Sequence, residues 1–98
     1  MFWNKNKYPE EVRIALAQIL STAILSLRFN ARQGNLKYCD IESDHIHNLP
    51  SLIERYDRDK LRYYLQSTRE EYVGKLKQLN AGNPSVYEEQ WRVLEKYI

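Results

Sequence analysis

Ninety-eight residues, 43% apolar and 29% charged, are enough for one folded core and too few for two, since independent domains usually reach roughly 100 to 150 residues. Fifteen Lys and Arg against 13 Asp and Glu leave a net charge of +2, so the whole-molecule field excludes a strong general pull on nucleic acid or on a membrane. Cys39 is the lone cysteine, which rules out an intramolecular disulfide and favours a cytoplasmic setting.

The chain lacks the period-two alternation of strands, and helical spacing runs through it, so residues 1–98 are read as one all-α domain. Pro9, Glu10 and Glu11 open a first helix: proline is tolerated in the first turn, and carboxylates suit the positive end of the helix dipole. Val12, Leu16, Ile19, Ala23 and Leu27 then recur every three or four residues, flanked by Ile14, Leu20, Ile24 and Leu25, a wide apolar face that suits a central helix. The run Ile14 to Leu27 follows Lys5, Lys7 and Arg13 as a targeting core follows a basic end. Glu10, Glu11 and the interrupting Gln18, Ser21, Thr22 and Ser26 oppose that reading, and the run is shorter than the roughly 18 apolar residues of a membrane span. No membrane partner is expected. Gly34 should stop this helix, since a left-handed cap costs glycine little.

Asn35 is placed to cap a second helix that carries Tyr38, Ile41 and His45 inward, with Leu49 closing the stripe. That helix must end ahead of Pro50, between His45 and Leu49. The residue before a proline is pushed from the helical region, so Leu49 is expected to be extended and a short segment to begin beyond it. Asp57 can cap a long helix with Leu61, Leu65, Thr68, Tyr72, Leu76 and Leu79 on its buried line and Gly74 as a weak point. Asn83 and Pro84 then open a last helix with Tyr87, Trp91, Leu94 and Ile98 at core spacing. The architecture expected is a small bundle of four main helices plus one short connecting helix.

Both histidines lie in the stretch Asp44 to Ile53, beside a run of acids. Glu42 and His45 are spaced i, i+3, a pairing that di-iron bundles use, but those sites need a second copy and two further glutamates. Asp44 and His47 repeat the spacing around a different part of the helix, so the pairs do not converge on one ion, and no metal or cofactor is expected. Cys39 and His45 are separated by about 9 Å of helix axis, too far for a thiolate and its base. The sequence also lacks a phosphate loop and a nucleophile elbow, so no enzyme activity is expected.

A charge pattern remains. Cys39 to Glu54 contains Asp40, Glu42, Asp44 and Glu54 and no Lys or Arg. With Tyr38, Ile41 and His45 inward, Asp40, Asp44 and His47 share an outer face at i, i+4 and i+7, with Glu42 toward one flank. Arg55 to Lys77 is basic but carries its own carboxylates, Asp57, Asp59, Glu70 and Glu71, together with the aromatic pair Tyr63 and Tyr64.

His47, Asn48, Leu49 and Pro50 resemble the HNLP signature of a group of small all-helical bacterial proteins with no assigned chemistry. The resemblance implies that this segment is the corner between two helices. In design, a small, cysteine-poor helical domain with one acidic face is similar to bacterial toxin immunity proteins, although this chain lacks their overall acidity. The expected function is therefore non-enzymatic protein binding, most concretely an immunity or antitoxin protein that occludes the basic surface of a cognate nuclease toxin. Asp40, Glu42, Asp44, His47 and Tyr63 are the expected partner-binding residues. The alternative is a nucleic-acid-associated protein using the basic helix 55–77, a reading opposed by the nearly balanced charge.

Overall fold

A computed structural model describes residues 8–98; Lys5 and Lys7, weighed above as a basic flank, lie outside them. The described residues form helices α1 (Glu10–Arg32), α2 (Leu36–Ile46), α3 (Leu49–Glu54), α4 (Arg58–Ser67), α5 (Val73–Leu79) and α6 (Glu88–Glu95). A π-helical turn, Thr68–Tyr72, joins α4 to α5, and a 3-10 turn, Pro84–Tyr87, leads into α6. Because α4, the π turn and α5 run on without interruption, the architecture is the expected all-α bundle of four main helices, with α3 as the short connector.

Helix α1 packs against α2, α3 and α6, while the long helix lays α4 on α6 and sets its π turn and α5 against α2. The core stripe of α1 is narrower than its composition suggested. Val12, Ala15, Leu16, Ile19 and Ala23 are buried, but Ile14, Ile24 and Leu25 are exposed, because α2, α3 and α6 all lie toward one side. With its 23 residues and a mean hydropathy of 1.5 over its most apolar window, α1 is long and apolar enough to cross a membrane by length and composition, although the apolar run within it is shorter; 28% of that window is buried here.

Gly34 takes a left-handed φ of +77° just beyond α1, as a helix stop requires. Asn35 occupies the cap position of α2 without a capping bond; its side-chain amide donates to Asn30 Oδ1 across the turn. Asp57 caps α4 as expected, its Oδ1 accepting from the backbone N–H of Asp59 and Lys60. Asn83 caps the 3-10 turn by accepting from Ser85 N–H.

The segment between α2 and α3 is a corner. His47 and Asn48 form the turn, and Pro50 sits in the first turn of α3, where its missing N–H leaves no bond unmade. Leu49 departs from expectation: it is the first helical residue of α3, not an extended one. Asn48, at φ −96° and ψ −3°, absorbs the change of direction one residue earlier, leaving Leu49 fully buried.

Candidate functional site

The chemistry-bearing residues collect where α2 faces the long helix. Tyr38, Glu42 and His45 project from successive turns of α2 and meet Tyr64, Thr68 and Tyr72 from α4 and the π turn, with Trp91 of α6 behind them. Glu42 is fully buried. The expectation of Glu42 on the flank of an outer, partner-binding face is thus corrected: the α2 helix turns it toward the long helix, on the same side as Tyr38 and His45. Spacings of i, i+4 from Tyr38 and i, i+3 to His45 put all three on one face, so an inward Tyr38 and His45 bring Glu42 with them.

Burying a carboxylate is costly unless its lone pairs are satisfied. Here Oε2 accepts from the hydroxyls of Tyr38 at 2.7 Å and Tyr72 at 2.9 Å, while Oε1 lies 2.7 Å from His45 Nδ1. In the Nδ1–H tautomer the ring donates to Oε1, and Nε2 accepts from the Tyr64 hydroxyl at 2.8 Å. That hydroxyl accepts in turn a long hydrogen bond, 3.4 Å, from Trp91 Nε1–H. The His45 ring stacks on Tyr72 with centroids 4.0 Å apart. No buried side-chain polar atom among the described residues lacks a partner.

The phenols are held in their protonated form. Burial raises Tyr38 to about 12, offset in part by its hydrogen bond with Ser26 and reinforced by Glu42. Burial also lifts Tyr64, Tyr72 and Tyr87 well above the ordinary phenol value, and the Glu42 charge adds to each. Glu42, His45 and Tyr64 are arranged as acid, imidazole and hydroxyl, but a buried phenol with a raised pKa is a poor nucleophile. What the arrangement does is join three helices through directional bonds. The Glu42 and His45 pair considered for metal binding is spent on this network, and no group of three or more His, Cys, Asp or Glu among the described residues could hold an ion.

Directly outside the network lies an open groove of about 320 Å³ between α2, α3 and the long helix. Its floor includes the buried His45, Tyr64, Thr68 and Tyr72, and its rim the exposed Asp44, Lys60, Tyr63, Glu71 and Lys75. The volume falls at the small end of the range for ligand and side-chain pockets, roughly 300 to 1,000 Å³. Tyr63 is 67% exposed, whereas Tyr64 beside it is 7% exposed. The aromatic pair considered for nucleic acid is therefore divided between rim and core, as neighbours on a helix must be.

Of the expected binding residues, Asp44 and Tyr63 come together at this groove, while Asp40 and His47 are exposed on α2 and its following turn outside it. Glu71, Lys60 and Lys75 were not anticipated as site residues. They belong to the solvated side of the long helix, and the approach of α2 gives them a common opening. Tyr64 could have been found: it stands three residues after Leu61 and four before Thr68, on the line of core positions. No protein-family model, curated protein or solved structure matches this chain.

Proposed function

We propose that this chain is a non-enzymatic protein-binding protein, most concretely an immunity or antitoxin protein acting in the cytoplasm against a bacterial toxin with a basic surface. The observation that carries the reading is the groove whose rim includes both Asp44 and a two-thirds exposed Tyr63. An exposed tyrosine offers contact area at low entropic cost and a ring face for a partner's Arg or Lys, with carboxylates at Asp44 and Glu71 to receive the charge. Asp40, Asp44 and His47 along the outer side of α2 extend this surface, in a stretch of sequence without Lys or Arg, and such carboxylates steer a basic partner from the α2 side, away from Lys60 and Lys75 on the long helix. The burial of Glu42, His45 and Tyr64 favours binding over catalysis, because among the described residues the cluster arranged for proton transfer is fully bonded within itself and ends on a buried phenol.

Nucleic-acid binding by the basic helix is less favoured. Arg62 and Arg69 are paired with Asp59 and Glu95, Tyr64 is in the core, and the five remaining cations of the helix share it with Asp57, Glu70 and Glu71 and a single exposed ring. The test is a pull-down and growth-protection assay with a cognate toxin. Tyr63→Ala and the pair Asp40→Lys with Asp44→Lys are expected to lose protection while remaining folded, and Arg58→Glu with Lys77→Glu to retain it. Retention of protection by the first variants and its loss in the last would overturn the assigned surface.

A further inference from the structure

The turn between α1 and α2 carries features that the core does not use. From Ile24 to Lys37 no residue is buried, although the stretch is rich in apolar side chains. Leu25, Phe29 and Leu36 are 62%, 60% and 70% exposed, three of the four most exposed large apolar or aromatic side chains among the described residues. Leu25 and Phe29 stand one turn apart on α1, with Arg28 and Arg32 on the same face at i+3 and i+7 from Leu25. Leu36 and Lys37 begin α2 just across the turn. None of Arg28, Arg32 and Lys37 forms an ion pair with a described residue, and Val12 to Cys39 contains no Asp or Glu. The nearest carboxylate along the chain is Asp40, one turn further down α2.

We propose that this hairpin tip docks on an anionic lipid bilayer, with Leu25, Phe29 and Leu36 entering the headgroup and acyl boundary and Arg28, Arg32 and Lys37 meeting lipid phosphates. Apolar insertion combined with basic residues is the pairing that holds peripheral helices at membranes. Phosphate contacts alone would suit a nucleic acid equally, but a duplex gives three projecting apolar side chains nothing to bury against. A second copy brought tip to tip would set the same three cations against one another. The net charge of +2 gave no reason to expect a membrane partner, because the fold concentrates on this turn a charge that is balanced over the whole chain. The tip is separate from the groove of Asp44 and Tyr63, so the two surfaces can be occupied independently.

Co-sedimentation of the purified full chain with vesicles tests the proposal. Binding is expected to mixed phosphatidylglycerol and phosphatidylcholine vesicles, and to be weak on phosphatidylcholine alone. Replacing Arg28, Arg32 and Lys37 by Gln should reduce partitioning about a hundredfold, at roughly fivefold per charge. Phe29→Ser with Leu36→Ser should abolish the part of binding that survives high salt, with unchanged circular dichroism. Failure to bind anionic vesicles, or binding indifferent to both sets of substitutions, would overturn the proposal. Binding to duplex DNA that depends on the cations and not on Phe29 and Leu36 would assign the tip to nucleic acid instead. A dimer dissolved by the apolar double variant would assign it to self-association.

Discussion

Glu42 is the residue on which the interior turns. Its two oxygens satisfy two phenols and an imidazole, two of them on α2 itself and one on the π turn, so removing it leaves several buried polar groups unmatched at once. Glu42→Ala is expected to destabilise the fold by about 3 kcal/mol or more, read as a lower urea midpoint with unchanged slope. Glu42→Gln should also destabilise, since its amide NH₂ would face a donor in place of an acceptor. The tyrosines make a second, pH-dependent statement. A folded phenol whose pKa is raised keeps its proton when the unfolded one loses it, so unfolding releases protons and stability falls as pH rises. The contribution of Tyr38 is complete below pH 10 and is lost as pH climbs to about 12. Thermal melts should therefore hold steady approaching pH 10 and drop steeply above it, with Tyr64, Tyr72 and Tyr87 contributing in the same direction. A flat profile through pH 11 would contradict the network.

At the scale of elements, what could be read in the sequence was what adjacent residues decide. Asp57 is followed by three solvent-facing residues and Leu61, and its side chain caps α4 as its type and place require. Asn35 looked equivalent, yet its amide found Asn30 across the turn, a contact set by how α1 and α2 are angled. Asp57→Ala is accordingly expected to cost about 1 kcal/mol, and Asn35→Ala clearly less, measured by equilibrium denaturation of the two single variants. The corner at Pro50 was legible from proline sterics, whereas the helical Leu49 was not, because burial of its side chain decided the backbone. The π turn at Thr68–Tyr72 left no sequence mark: the buried residues keep intervals of three and four through it. Glu42 was misplaced for a related reason. Charge type argued for solvent, while its position between Tyr38 and His45 argued for the core, and position prevailed because three donors were there to meet it.

At the scale of the whole molecule, a nearly neutral chain is divided into surfaces of different character. The tip of α1 and α2 is basic and apolar, the outer side of α2 is acidic, and the groove between α2 and the long helix combines carboxylates, lysines and an exposed tyrosine. The helical pattern made the bundle legible, but a groove exists only when two helices meet, so Tyr63 and Asp44 could be named separately and not as neighbours. In the proposed function this acidic and aromatic surface binds a basic protein partner. Stopped-flow association of the chain with a cognate toxin, at low and at physiological salt, decides whether it does. Asp40→Lys with Asp44→Lys is expected to slow association about tenfold or more at low salt and to flatten its salt dependence, with a smaller change in dissociation. Both side chains are exposed, where substitutions usually shift stability by no more than about 0.5 kcal/mol, so the folded fraction should be unchanged. An association rate and salt dependence equal to those of the unsubstituted chain would contradict the account.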